Sequence, residues 1–320
     1  MDRPGALARL RAIVAAFVAD DLGNTGSCCV ALSGGPDSLA LTAATAAVLP
    51  TTALIVDHRL QPGSGEVAQR ARRQALELGC VGAQVLTVDV GTSGGQEAAA
   101  RTARYAALNT ARAGAPVLLA HTLDDQAETV LLGLGRGSGP RSIAGMRRSD
   151  PPWFRPLLGI RRADTHAVCA ELGLAAWDDP HNSDRRFTRV RLRTEVLPLL
   201  EEVLGGGVAE ALARTAAALR EDTDALDAMA GAELAAAAAD GALEIAAIGP
   251  LPTAVRRRVI RSWLLAGGAK NLTDRQIRGV DALLTSWRGQ GGVAVGCDRP
   301  NTRLFAERSG AILTLRFAPV

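Results

Sequence analysis

The stretch Ser33-Gly34-Gly35-Pro36-Asp37-Ser38 brings together two glycines, two hydroxyls and a carboxylate. Glycines let backbone approach an anion closely, and amides at a helix start carry positive partial charge. Ser33 and Ser38 add hydroxyl donors. No lysine follows the glycines, so this is not a Walker A loop. Asp37 repels a polyphosphate unless a divalent cation lies between them. The stretch therefore predicts a nucleoside triphosphate with Mg²⁺, and Asp37 as the metal contact. The plainer reading is a strand-to-helix turn capped by Asp37. Its place after the first apolar run, with two serines beside the acid, favours nucleotide binding.

A second cluster is His121-Thr122-Leu123-Asp124-Asp125-Gln126-Ala127-Glu128-Thr129. On a helix, Asp124, Asp125 and Glu128 fall close to one face, while Ala127, Val130, Leu131 and Leu134 share the opposite one. This predicts acids lining a crevice and aliphatics holding the helix to a sheet. Thr122 with Asp125 also matches a capping box, which accounts for Asp125 and partly for Asp124 but poorly for Glu128. Upstream, Glu97, Arg101 and Tyr105 stand four residues apart. A plain surface pair of Glu97 and Arg101 is worth only tenths of a kcal/mol. Arg136-Gly137-Ser138-Gly139 closes the acidic helix, either to wrap a phosphate or as a simple glycine stop. His58 and His121 each follow a strand candidate and sit on its ligand edge. His166 and His181 have weaker claims.

These residues need a scaffold. Short apolar runs at 28–32, 53–56, 85–90 and 116–120 alternate with helical stretches at 36–48, 66–78, 96–113 and 124–134. Strands separated by helices imply right-handed crossovers and a parallel sheet covered on both faces. The expected fold is a doubly wound α/β domain, whose ligands bind beyond the strand C-termini. After Asp150 prolines break the chain, with helices expected at 163–172 and 188–200. Gly205-Gly206-Gly207 marks a hinge, so domains are expected at 1–206 and 207–320. The second is smaller, helical from 208 to 239, then α+β, with a strand at 311–317.

The chain has 320 residues, 48% apolar and 22% charged, which excludes a mainly disordered protein. No run approaches the roughly 20 apolar residues of a membrane span. Arg9, Arg11 and Asp20 interrupt the N-terminal apolar pattern, which reads as an amphipathic helix of a cytoplasmic protein. The five cysteines show no C-x-x-C spacing and act as small buried groups in a reducing compartment. Net charge is only +3, but arginines cluster from Arg136 to Arg162, from Arg185 to Arg193 and from Arg256 to Arg261. Lys270 is the only lysine.

The loop Ser33–Ser38 resembles that of the N-type ATP pyrophosphatases. With Asp57-His58-Arg59-Leu60, Ala100-Arg101, Arg104-Tyr105, the acidic cluster, Arg136–Gly139, Arg155-Pro156-Leu157-Leu158, Asp178-Asp179-Pro180-His181-Asn182, Phe187-Thr188-Arg189, Arg193 and Leu197-Pro198, the first two-thirds of the chain resembles the tRNA(Ile)-lysidine synthases. The chain differs at Ile55, Thr122 and Val190, where that family commonly carries histidine, histidine and asparagine. The resemblance implies that ATP activates C2 of the wobble cytidine in a CAU anticodon and that free L-lysine displaces AMP. It implies ATP contacts from Ser33, Gly34, Gly35, Pro36, Asp37, Ser38 and His58, and Mg²⁺ on Asp37. It further implies catalytic roles for Asp37, Glu128, His121 and Arg101, and lysine binding by Asp124, Asp125 and Glu128. Arg136, Arg189 and Arg193 would meet tRNA, and relatives are often dimers.

Two rival enzymes share the loop. A tRNA 2-thiolation enzyme should bring paired C-x-x-C cysteines, and none occur. Amidotransferase-type synthetases need neither arginine-rich segments nor a second domain for RNA. A non-catalytic nucleotide sensor would not need both intact clusters.

Overall fold

The computed structural model describes residues 4–59, 63–91, 95–137 and 139–319; Leu60, Ser138 and the side chains of Gln96, Glu97 and His181 lie outside the described set. The chain forms two compact units, Met1–Gly137 with Gly145–Ala216, and Ser138–Ala144 with Ala217–Val320.

In the first unit, α1 (Ala6–Phe17) buries Leu7, Leu10, Val14 and Phe17, a helical stripe. Then follow β1 (Cys28–Ala31), α2 (Pro36–Ala46), β2 (Thr51–Asp57), α3 (Ser64–Glu77), β3 (Gly82–Thr87), α4 (Gln96–Ala111), β4 (Val117–Leu118) and α5 (Leu123–Arg136). Pro36 occupies the first turn of α2, where its missing N–H costs nothing. Ser38 to Thr45 are all buried. The Thr42 and Thr45 hydroxyls therefore bond back to the Ser38 and Leu41 carbonyls, each at 2.7 Å.

Short α6 (Pro140–Ile143) belongs to the second unit; the first resumes with β5 (Ser149–Asp150), β6 (Trp153–Phe154), α7 (Arg162–Glu171), α8 (Thr188–Arg191) and α9 (Leu197–Leu204). The sheet order is β3-β2-β1-β4-β6-β5. One face carries α1, α2, α3 and α7 over a core that includes Phe17, Leu39, Ala71 and Val168. The other carries Leu108 and Tyr105 of α4 over Cys29, Leu54, Val117 and Leu119. The doubly wound arrangement expected from the alternating pattern is present, with one correction to its parallel sheet. Strand β5 pairs antiparallel with β6. Only Pro151 and Pro152 separate them, and a parallel return needs a crossover of a dozen residues.

The helix expected at 188–200 is helical in three pieces, α8, a π-turn at Leu192–Val196, and α9 with Pro198 in its first turn. Helix α10 (Val208–Ala237) begins in the first unit and ends in the second. The second unit continues with β7 (Ala238–Ala239), β8 (Ala242–Glu244), α11 (Ile245–Ile248), α12 (Thr253–Ala266), β9 (Ala269–Lys270), α13 (Asp274–Thr285), β10 (Val293–Cys297), β11 (Thr302–Ser309) and β12 (Ile312–Pro319). Its antiparallel sheet runs β7-β8-β12-β11-β10-β9 around Leu243, Ile260, Leu264, Leu283 and Leu304. Sequence reading missed α13, although Thr273 and Gln276 form its capping box. Among the described residues, no helix is long and apolar enough to cross a membrane.

Candidate active site

The glycine-rich turn joins β1 to α2 at the C-terminal edge of the sheet. Gly34 has φ +86°, a conformation that favours glycine, and its carbonyl accepts the Trp177 amide at 2.9 Å. Inside the turn, the Ser33 and Ser38 hydroxyls lie 3.1 Å apart. Ser38 donates to the Gly35 carbonyl at 2.9 Å and accepts the Ser33 amide at 3.2 Å. These bonds shape the turn before any ligand arrives.

Asp37 follows Pro36 in the first turn of α2. Its carboxylate accepts the Thr165 hydroxyl and meets the Arg162 Nε at 3.5 Å, both from α7. Burial pushes the Asp37 carboxyl above its usual range, and Asp125 adds to this; Thr165 and Arg162 oppose it without cancelling it.

Helix α5 starts with the expected capping box. The Asp125 carboxylate accepts the Thr122 amide at 2.8 Å, and the Thr122 hydroxyl accepts the Asp125 amide at 3.4 Å. Asp124 accepts the Arg162 amide at 2.8 Å and pairs with Arg161 at 3.2 Å. Burial works to raise the Asp125 carboxyl, but Arg162 at 2.7 Å, the Thr122 bonds and His121 together hold it below its usual value. Glu128 has no exposure. Arg193 donates to it at 2.8 and 3.3 Å, and Arg162 and Arg189 each approach to 3.7 Å. The three acids thus stand together with Asp37, through Arg162.

The apolar side of α5 corrects an expectation. Leu123 and Ala127 pack on Leu197 of α9 and Ala209 of α10, joined by Leu131 and Leu212, rather than on the sheet, while Leu134 is exposed. The later helices supply a second apolar layer that the periodicity of α5 alone does not reveal.

His121 lies just past β4. Burial brings its imidazole down to about 4; Asp125 opposes this, while Arg155, Arg101 and Arg189 add to it. It is neutral near pH 7. His58 follows β2, and its Nε2 accepts the Arg104 Nε at 3.4 Å; burial and that guanidinium lower its affinity for a proton. Arg101 stacks 5.0 Å over the Tyr105 ring and donates to its hydroxyl at 3.3 Å. Tyr105 in turn meets Trp153 edge-on at 4.7 Å. Arg136 is exposed in the last turn of α5, which Gly137 ends at φ +59°.

Arg189 and Arg193, expected as RNA contacts, approach Glu128 at 3.7 and 2.8 Å. Thr165, Arg161 and Arg162 were not singled out as site residues. The arginine-rich run was visible, but nothing in it distinguished a guanidinium aimed at Asp37 from a solvated one.

Residues 8–200 match the family model described as the PP-loop domain, and residues 243–308 match the TilS substrate binding domain. The chain is 70% identical over 320 residues to the tRNA(Ile)-lysidine synthase of Mycolicibacterium paratuberculosis, covering all of both chains. It is 64% identical to that of Nocardia farcinica over 96% of this chain and 97% of the relative. Among solved structures, the U34-tRNA thiolase NcsA of Methanococcus maripaludis, described with a [4Fe-4S] cluster, matches with TM-score 0.55 at 16% identity. That match covers 68% of this chain and 80% of the thiolase, a likeness of fold.

Proposed function

From the premise that this chain belongs to the tRNA(Ile)-lysidine synthase family, shown by the full-length 70% match, we propose that it ligates L-lysine to C2 of the wobble cytidine in CAU-anticodon tRNA(Ile). ATP is consumed through an adenylated cytidine, with release of pyrophosphate and AMP. The observation that carries this reading is the meeting of the phosphate turn and the acidic helix at one sheet edge, joined through Arg162 to Asp37 and Asp125.

The turn Ser33–Ser38 holds the triphosphate with the free amides of α2, and His58 lies toward the nucleotide. Asp37 suits Mg²⁺, since a desolvated carboxylate with a raised proton affinity gains from a cation. Among the described residues no group of three or more His, Cys, Asp and Glu is set to hold a metal alone, so phosphate and water oxygens would have to complete its shell. When bound, the ion neutralises charge developing on the departing pyrophosphate.

The lysine ε-ammonium must lose a proton before it attacks, since its reference pKa is about 10.4. Asp124 and Asp125 hold it; their side chains keep 18% and 16% exposure, whereas Glu128 has none. The proton passes to this carboxylate pair. Glu128, expected from the sequence to bind lysine and serve catalysis, has no exposure and acts instead from beneath by fixing Arg193 and Arg189. Neutral His121 and Arg101 orient the cytidine and its activated form. Arg136 and the partly exposed Arg189 and Arg193 meet tRNA phosphates. The reaction belongs to the cytoplasm, where tRNA is modified.

Radiolabelled lysine should enter a CAU-anticodon tRNA(Ile) transcript only when ATP and Mg²⁺ are both present, and EDTA should stop it. Undiminished incorporation by Asp37→Ala would overturn the role given to the turn.

A further inference from the structure

Arg155 is a buried cation with no acid beside it among the described residues. It stands one residue past β6 and keeps only 6% exposure. Its Nη1 donates to the Arg147 carbonyl at 2.9 Å, and its Nε is buried without a hydrogen-bond partner. Among the described residues no carboxylate pairs with it. A guanidinium carries five N–H donors, and burying it unpaired costs several kcal/mol.

Its place is built. Strands β4 and β6 run parallel, with Val117 opposite Trp153 and Leu118 opposite Phe154. The Leu119 amide extends that ladder to the Phe154 carbonyl at 2.7 Å. By alternation Arg155 shares the α4 face with Trp153, and His121 shares it with Leu119. The carbonyl that orients Arg155 is also held, because Gln126 brackets the adjacent Met146 at 2.7 and 3.0 Å. His121 adds a second buried, unpartnered polar atom, its Nδ1. The Arg155 charge is among those that lower the proton affinity of His121.

We propose that Arg155, with His121 beside it, forms an oxyanion subsite that receives a carboxylate or phosphate of a substrate at the β4–β6 edge. The subsite deepens the lysine-ligating reading and rests on it. The incoming amino acid, anchored by its ammonium at Asp124 and Asp125, carries a carboxylate at its other end. ATP and the RNA backbone carry phosphate oxygens. An oxyanion from any of the three compensates the buried cation, and Arg155 holds it by a two-pronged contact.

Isothermal titration of the full chain with L-lysine, cadaverine, ATP and a CAU anticodon stem-loop distinguishes these sources. Arg155→Gln should weaken one oxyanion ligand by about 30-fold or more and leave cadaverine, which lacks the carboxylate, unchanged. Arg155→Lys should recover part of the loss. A loss confined to L-lysine identifies the carboxylate; a loss confined to ATP or RNA identifies a phosphate. Wild-type affinities for all four in a folded Arg155→Gln protein overturn the subsite. In the wild-type chain, the Arg155 Nε–H proton resonance should move on saturation with the same ligand. A resonance unmoved by L-lysine, ATP and the stem-loop overturns the subsite however the variants fold. Titration reads binding without turnover, so failed lysine incorporation would sink the proposed reaction and leave this comparison standing.

Discussion

Arg193 donates to both oxygens of Glu128, at 2.8 Å from Nε and 3.3 Å from Nη2, and the carboxylate receiving it is wholly shielded from water. Arg193 is 30% exposed, so losing Glu128 removes charge-assisted hydrogen bonds rather than stranding a buried cation, at a cost of about 1.5–3 kcal/mol. Glu128→Ala should therefore lower unfolding free energy by that amount in urea. Adding Arg193→Ala should cost much less than the sum of the two single changes. Glu128→Ala within ~1 kcal/mol of wild type would contradict the structural role of the pair.

The Thr165 hydroxyl orients Asp37 from α7, 128 residues away in sequence. Hydrogen bonds to charged groups are worth about 1.5–3 kcal/mol. Thr165→Val should weaken magnesium-ATP binding by about 10-fold, while Thr165→Ser keeps it. Equal affinities for Val and Ser in a fluorescence titration would show that the bond does not position Asp37.

His121 makes stability pH-dependent with a definite sign. Its folded value of about 4 lies below the ordinary 6.5, so the unfolded chain binds the extra proton. The contribution is complete above pH 6.5 and is lost as pH falls toward 4. Asp125, held below its usual value, acts in the same direction at lower pH. His121→Asn should flatten unfolding free energy between pH 6.5 and 4 relative to wild type. Parallel curves would mean that His121 titrates normally.

Burial raises the thiols of Cys28 to about 12 and of Cys80 and Cys169 to about 11, and also raises Cys29. The thiolate is the reactive form. Iodoacetamide at pH 8 should label the native chain only at half-buried Cys297, and all five cysteines after unfolding. Native labelling at Cys169, whose thiol donates to the Pro36 carbonyl at 3.3 Å, would show that the α7 contact with the turn opens readily.

Much of the fold was legible because its signals are local. The turn after β1, the Thr122–Asp125 cap and the alternation of β1 to β4 with their helices each lie within a few consecutive residues. Strand β5 escaped notice because two residues ahead of a proline pair carry no period. The apolar side of α5 was visible, but its partner was not: periodicity says that a face is buried, not what buries it.

The amino-acid order alone determined the phosphate turn, the acidic helix and the sheet edge where they meet, since glycine torsions, capping and hydrophobic spacing act between near neighbours. Tertiary structure decided which charges face each other. Arg193 reaches Glu128 across 65 residues, Arg162 reaches Asp37 across 125, and among the described residues Arg155 is left beside His121 with no acid. Charge pairing depends on distance and on removal from water, and only the folded chain sets both.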